Sequence, residues 1–297
     1  MISKSLNHSR TMATKQIPMP SPTNTPIPLT EYKLLSFDVY GTLVQYKAHI
    51  LNSFRPLLSR LPNDSVYLNA EPLSNSIPDS ATKGDVELLK LFQKLEDTIK
   101  LETVPRRFDE ILREIWRRIA VELGVQTTQS ECDDFGSETN IASWPCFEET
   151  LDALELLAQH YKLIALSNID RYAWQITAKA SGLGNIKWTK IFTAEDFGDD
   201  LARADAAKLE TMLTYARGLD ISKDRILHVA QSLGHDHKPC KNLGISSVFL
   251  IGDGPKWGKE EESKMAVEKE LVGYGWRCRN LNEFADIAMK AHQGNNI

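Results

Sequence analysis

Short apolar segments alternate with helix-like segments through the second half of the chain. The apolar patterns predict strands at residues 163–166, 191–193, 226–230 and 248–251, and helices at residues 148–160, 171–181, 206–218 and 283–291. Such alternation favours a parallel sheet with right-handed crossovers, whose ligand site lies at the carboxyl ends of the strands. Residues 252–275 are interpreted as an exposed excursion. The sequence therefore predicts an α/β protein with a Rossmann-like parallel sheet core.

Composition limits the classes of partner. The 297 residues are 42% hydrophobic and 25% charged, with a net charge of −5. The charges are interspersed and form no basic stripe, so we expect a small-molecule partner and no nucleic acid. No apolar stretch approaches the ~18 residues of a membrane span. The four distant cysteines (Cys132, Cys146, Cys240 and Cys278) fit neither a zinc site nor a disulfide framework, which indicates a reducing compartment and predicts a cytoplasmic protein.

The first 30 residues have a composition of their own. They contain three basic residues, no acidic residue and five prolines among Ser, Thr and Asn. This composition predicts a disordered leader over residues 1–30. The alternative is an organelle transit peptide, because such peptides are basic and poor in acids, although the prolines break an amphipathic helix.

A carboxylate follows the first predicted strand. Asp38 ends the apolar run 34–37, and Gly41 allows a sharp turn behind it. The mouth of a buried strand is where an α/β sheet presents a nucleophile. The alternative is that Asp38 only caps the turn.

A helical region interrupts the sheet after this turn. Apolar residues recur at three- and four-residue spacing over residues 84–124, which predicts amphipathic helices. We therefore assign a helical cap to residues 46–146, inserted into a core formed by residues 31–45 and 147–292.

The hexapeptide at residues 37–42 resembles the first motif of the haloacid dehalogenase-like superfamily, in which the aspartate attacks substrate carbon or phosphorus. The phosphatases of that superfamily carry a second Asp two residues later, whereas this chain has Tyr40, as in the L-2-haloacid dehalogenases. The resemblance implies that Asp38 is the nucleophile, that Tyr40 shapes an apolar pocket and that Thr42 binds oxygen. It argues against phosphoryl transfer.

Ser167 and Asn168 resemble the second motif of the family. A hydroxyl and an amide at a strand end can donate hydrogen bonds to a carboxylate, although capping of the next helix is an alternative. The resemblance implies that Ser167 holds the substrate carboxylate or the nucleophile. Asn168 matches the asparagine of the dehalogenases.

Residues 231–236 resemble the fourth motif. Magnesium-dependent members begin it with an Asp, and Gln231 is a poor substitute for that ligand, which implies an enzyme without metal or cofactor. Asp236 matches the acid that helps to activate water for hydrolysis of an ester intermediate. His235 and His237 would point apart, which disfavours zinc, and His235 is instead a candidate substrate contact or base near neutral pH.

The third motif requires a lysine beside the nucleophile. The register of the following helix assigns Arg203 to this position and retains Asp205, although arginine does not reproduce the compact ammonium group. Lys208 is the fallback, but the predicted register turns it away. Candidates for a cap arginine that holds a leaving halide are Arg55, Arg60, Arg106 and Arg107.

The resemblance predicts a metal-independent hydrolase of 2-haloacid dehalogenase type. Asp38 would displace halide from a small carboxylated substrate, and water assisted by Asp236 would cleave the aspartyl ester. One alternative is epoxide opening, isomerisation or cyclisation of a larger metabolite, with Asp38 as acid or base. Another is a catalytically inactive binding protein. Family dehalogenases also suggest a homodimer.

Overall fold

A central parallel sheet organises the molecule. The computed structural model describes residues 19–72, 81–102, 106–198, 204–252 and 259–294. Six parallel strands lie in the order β3-β2-β1-β4-β5-β6. Their bounds are β1 Leu34–Phe37, β2 Lys162–Leu166, β3 Trp188–Phe192, β4 Ile226–Ala230, β5 Ser246–Leu250 and β6 Trp276–Cys278. The strand order reverses between β1 and β4, so Asp38 follows a strand at the topological switch point.

Helices cover both faces of the sheet. Alternate strand residues point to opposite faces: Leu34 and Ile164 join the apolar cluster around Met212, whereas Leu35 and Leu163 join a second, larger cluster. The core helices are α6 Thr150–Leu157, α7 Arg171–Ser181, α8 Ala204–Arg217, α9 Lys238–Leu243, α10 Lys259–Glu268 and α11 Leu281–His292. This two-sided burial explains why the central strands are continuous apolar runs. The predicted α/β fold class is confirmed.

Among the described residues, five α-helices lie between β1 and α6. They are α1 Lys47–Leu58, α2 Lys83–Lys100, α3 Phe108–Glu122, α4 Gln129–Phe135 and α5 Glu138–Ala142. Phe54 stacks on Trp116 with ring centroids 4.8 Å apart, and both rings contact Phe135. The chain leaves and re-enters the core at one place, because Val44 forms an antiparallel bridge with Cys146. This inserted helical unit is the cap.

The carboxyl-terminal region differs from the sequence prediction. The sequence predicts an exposed excursion over residues 252–275, but α10 lies within them, and the unpredicted strand β6 follows directly. Val272 and Tyr274 are buried, and the Tyr274 ring lies 5.1 Å from Phe249. The prediction of exposure is therefore wrong for these residues, because they pack at the edge of the sheet.

Part of the predicted leader packs on the core. Thr23 Oγ1 donates a hydrogen bond of 2.6 Å to the Gly273 carbonyl, and Leu29 is buried. A Cβ atom at Gly273 would lie only 2.8 Å from the Ser21 carbonyl oxygen, so this crossing requires a glycine. Residues 1–18 lie outside the described residues.

The cysteines and helices are relevant to the predictions made from cysteine spacing and from the lengths of apolar stretches. All four cysteines are free thiols, and Cys132, Cys240 and Cys278 are buried. None of the helices in the described ranges has both the length and the apolar character needed to cross a membrane.

Candidate active site

Asp38 extends the end of the central strand into a tight turn. Its amide donates to the Val229 carbonyl, which continues the β1–β4 ladder by one residue. Gly41 has φ of +91°, a conformation that favours glycine. Thr42 Oγ1 donates to Asp38 Oδ2 at 2.7 Å and accepts from the Gln231 amide at 3.0 Å. Thr42 thus orients the carboxylate and joins the first motif to the fourth.

Lys208 is a buried lysine that interacts electrostatically with Asp38. Its side chain is fully buried on α8, and Nζ donates to Asp236 Oδ1 at 2.7 Å. The prediction that the helix register turns Lys208 away is wrong, because it shares the inward face with Asp205, one helical turn earlier. Arg203, the residue first assigned to this role, lies outside the described residues.

Asp236 belongs to a buried series of hydrogen-bonded side chains that links strands β1 and β4 to helix α8. His228 Nε2 is 3.2 Å from Asp236 Oδ1, and His228 Nδ1 is 2.8 Å from Ser36 Oγ. Sequence reasoning missed both Ser36 and His228 as members of the site. The available signal was a single polar residue within each of two buried strands, and these two are direct partners in the β1–β4 register.

Burial and neighbouring charges separate the pKa values of the two carboxylates. Burial and the charge of Asp236 raise the pKa of Asp38 to about 6, against the opposing effects of Lys208 and Thr42. Burial opposes ionisation of Asp236, but Lys208 and His228 outweigh it and lower its pKa far below the usual range. Burial likewise disfavours the Lys208 ammonium, but Asp236 and Asp38 raise its pKa. Asp38 is therefore the carboxylate of this pair that titrates near neutral pH.

A second hydrogen-bonded chain lies beside the first. Asn168 Nδ2 donates to Asp205 Oδ1 at 3.2 Å, and His235 Nδ1 is 2.8 Å from Asp205 Oδ2. His235 stands in a π-helical turn, Leu233–His237, that directs Asp236 inward while His235 stays partly exposed. Ser167 is buried, and its hydroxyl accepts a long bond of 3.4 Å from the Ile169 amide. The strand ends therefore bring Ser167, Asn168, His235 and Asp236 to one edge.

Gln231 lies between two glycine turns. Its Oε1 is 3.2 Å from the position of a Cβ atom at Gly41, and its Nε2 is 2.7 Å from the corresponding position at Gly252. Both glycines have positive φ angles. The amide therefore fills the space that their missing side chains leave.

Tyr40 belongs to an aromatic wall shared with the cap. Its ring stacks on Phe108 at 5.7 Å, makes an edge contact with Trp144 at 5.4 Å and lies tilted against Tyr46 at 6.0 Å. Its hydroxyl is 2.6 Å from Thr177 Oγ1, and burial raises the pKa of the phenol. These rings give the cap side of Tyr40 an apolar surface.

Three buried polar atoms near this edge lack a hydrogen-bond partner within the described chain. They are Trp144 Nε1, Asn168 Oδ1 and Asp236 Oδ2. Because burying a polar atom without a partner is costly, such atoms are candidates for contact with substrate or water.

The cap arginines do not converge on Asp38. Each of the four candidates for a halide ligand pairs with a cap acid: Arg55 with Asp85, Arg60 with Glu131, Arg106 with Glu102 and Arg107 with Asp109. Among the described cap residues, Asp97 on α2 interacts electrostatically with His235 and Asp205 at this edge of the core. The structure thus leaves the expected halide arginine without a candidate among these four.

Comparisons with known proteins agree at the level of the fold. No protein-family model and no curated protein matches the chain. Among solved structures, the L-2-haloacid dehalogenase PA0810 is 18% identical, with a TM-score of 0.58 over 86% of this chain and 97% of the other. The chain has the haloacid dehalogenase-like fold. The L-2-haloacid dehalogenase from Xanthobacter autotrophicus with chloropropionic acid covalently bound is 15% identical, with a TM-score of 0.58 over 87% and 98% of the two chains.

A magnesium-bound structure with the haloacid dehalogenase-like fold provides a contrast. The putative hydrolase YfnB from Bacillus subtilis is 16% identical, with a TM-score of 0.58 over 87% and 99% of the two chains. In this chain Gln231 has replaced the acid of the fourth motif, and Asp236 is bound by Lys208. Tyr40, which replaces the second acid of the first motif, is hydrogen-bonded to Thr177. These residues do not fit a magnesium ion, which prefers carboxylate and water oxygens.

Proposed function

We propose that the protein is a metal-independent hydrolase in which Asp38 attacks an sp³ carbon of a small substrate and displaces a halide. The observation that carries this proposal is the placement of Asp38 beside the buried Lys208–Asp236 pair, with Tyr40 in place of the second acid. A halide leaves as a stable anion and needs no proton. The apolar, aromatic surroundings of Tyr40, which lack the second acid, therefore suit this leaving group.

The first step forms an ester on Asp38. Thr42 engages Oδ2, which leaves Oδ1 to form the bond to carbon while the carbon–halogen bond breaks. The Lys208 ammonium offsets the negative charge of the carboxylate before the attack. The aromatic wall limits access of water until the ester has formed.

The second step hydrolyses that ester. Asp236 Oδ2 is buried and has no hydrogen-bond partner within the described chain, so it can accept a hydrogen bond from a water molecule beside the ester. Lys208 supplies positive charge to the oxyanion that forms when water adds to the ester carbonyl. Breakdown of this intermediate regenerates the Asp38 carboxylate and releases the hydroxylated product.

Trp144 is the candidate donor to the departing halide. Its indole N–H is buried without a partner among the described residues, and its ring contacts Tyr40. An aromatic N–H can donate one hydrogen bond to an anion. This donor would serve in place of the cap arginine that the structure does not bring to the site.

Halide release from 2-chloropropionate in the presence of EDTA tests the proposal. We expect release by the wild type, and a loss of at least about 1,000-fold in Asp38→Asn, because the amide is not a nucleophile. Asp224→Asn, at an exposed residue before β4, is the matched control. In water enriched in heavy oxygen, a single turnover places the label in Asp38.

Two results would contradict the proposal. One is undiminished halide release by Asp38→Asn. The other is a folded wild type that neither releases halide nor gains the mass of an ester on Asp38.

A further inference from the structure

A proton donor stands beside a site whose proposed leaving group needs no proton. Tyr40 is a poor donor, because its hydroxyl is bonded to Thr177 and its pKa is raised by burial. Lys208 is a poor donor because the carboxylates around it raise its pKa, and Asp236 is held ionised. Asp38 also titrates in this range, but it must be unprotonated to attack carbon. Among the described residues at this edge, His235 is therefore the remaining candidate for giving a proton to a leaving group.

The geometry around His235 is that of a positioned imidazole. Asp205 Oδ2 lies 2.8 Å from Nδ1, and Asn168 holds the other oxygen of Asp205. Nε2 makes no hydrogen bond to the described residues. A carboxylate on Nδ1 fixes one tautomer and one ring orientation and favours the imidazolium, as in other carboxylate–histidine pairs.

The charges that face His235 come from three elements. Asp205 and Lys208 lie on α8, Asp236 lies in the same π-helical turn, and Asp97 lies on α2 of the cap. The hydrogen bond with Asp205 is the largest influence and raises the pKa of His235, although burial opposes it. Asp97 places His235 at the junction between cap and core, next to the acid and lysine that serve Asp38.

We propose that His235 is a general acid that protonates an oxygen leaving group, with Asp205 as its positioning residue, so that this site also opens carbon–oxygen bonds such as those of epoxides. The inference rests on the proposed function for its nucleophile, Asp38. It adds a substrate class that halide displacement does not require.

The reaction balances with water alone. Asp38 Oδ1 forms a bond to an epoxide carbon, and the electron pair of the breaking carbon–oxygen bond goes to the ring oxygen. His235 Nε2 gives its proton to that oxygen, which becomes a hydroxyl group. Water then adds to the Asp38 ester carbonyl, the second hydroxyl departs with the product, and the proton released by water returns to His235. The sum is epoxide plus water to diol.

Paired electrophiles separate this role from that of the nucleophile. The probes are 2-chloropropionate, glycidate and the amide of each. The readout is the rate at which Asp38 gains mass in single turnovers. We expect His235→Gln to slow epoxide adduct formation at least about 100-fold and to change the chloro adduct rate less than about threefold. His160→Gln, just before β2 at the opposite edge of the sheet, should change neither rate.

Asp205→Asn tests the positioning role. The wild-type epoxide rate should fall at high pH as His235 loses its proton, and the variant should move this fall to lower pH because the carboxylate no longer stabilises the imidazolium. Loss of packing alone would lower the rate without moving the pH at which it falls.

The outcomes distinguish the two proposals. Chloro adducts without epoxide adducts in the wild type would reject the role of His235 and leave the proposed function intact. No adduct from either electrophile would reject both. Equal slowing of both reactions by His235→Gln, or slowing of neither, would also reject the general-acid role.

Discussion

Burial, together with neighbouring charges, raises the pKa of Asp38. Lys208 and Asp236 neutralise one another at 2.7 Å, while burial and the charge of Asp236 raise the pKa of Asp38 to about 6. The proposed attack requires an unprotonated carboxylate, so we expect the proposed activity in the pH range above this value.

The rate of halide release from 2-chloropropionate is therefore expected to rise with pH through about 6 and then level off. The rise reflects loss of the Asp38 proton, because the protonated acid cannot attack carbon. Single-turnover rates from pH 4 to pH 8 measure it. A rate that is already maximal at pH 4 would show that Asp38 has no raised pKa.

Replacement of Lys208 by Met is expected to destabilise the fold by about 3–5 kcal/mol, because it leaves Asp236 buried without its cation. The same change should move the pH dependence of Asp38 to higher pH, since Lys208 lowers that pKa. Urea unfolding measures the first effect and single-turnover rates the second. Lys238→Met, at an exposed residue on α9, is the control, and equal stability of the two variants would refute the buried pair.

At the scale of elements, one carboxylate joins a core helix to a cap helix. Asp170 caps α7 by accepting from the Ala173 amide at 2.7 Å, and its other oxygen accepts from the amide of Phe108, the first residue of α3. Phe108 in turn stacks on Tyr40. The start of α3 and the aromatic wall thus depend on a residue of the second motif region.

Asp170→Ser is expected to keep the cap of α7 but lose the bond to Phe108, because the shorter side chain still accepts from a helix amide. Amide hydrogen exchange should accelerate at the start of α3, with a stability loss of less than about 1 kcal/mol. Asp170→Ala should lose both contacts and about 1–2 kcal/mol. The comparison is Thr128→Ala, which removes the residue that caps the N-terminus of α4, a helix within the cap domain. Unchanged amide exchange at Phe108 in Asp170→Ser would refute the link.

Elements with strong periodicity were predictable, and short or shifted ones were not. Strand β4 and helix α7 have the predicted bounds, since each carries a clear apolar pattern and end signals. Strand β6 has three residues, too few to show a period, and its burial comes from neighbours distant in sequence.

Asp38 and Asp236 could be located by motif. Lys208 could not, because motif spacing assigned its role to a residue more than one helical turn earlier.

At the scale of the whole molecule, the segment before β1 packs against the turns that lead into β5 and β6. Thr23 bonds the Gly273 carbonyl, and Asn24 Nδ2 donates to the Gly244 carbonyl at 2.9 Å. These contacts tie the start of the described chain to residues about 220 to 250 positions later.

Gly273→Ala is expected to displace this segment, because the new Cβ would meet the Ser21 carbonyl and Thr23 at 2.8–3.0 Å. We expect a loss of about 1–3 kcal/mol in unfolding free energy and faster proteolysis before residue 30, with halide release unchanged. Gly275→Ala is the matched control, since its Cβ would contact Pro26 at an ordinary 3.4 Å. Equal protease resistance of the two variants would refute the close crossing.

The bridge between Val44 and Cys146 has a consequence for how such a protein diversifies. Both ends of the cap meet at one point beside the turn that carries Asp38. The core is therefore joined to the same two chain ends whatever sequence lies between them. Insertions, deletions or exchanges inside the cap need not change the strand order or the polar chain from Ser36 to Lys208. The core and the cap can therefore accept sequence changes largely independently of one another.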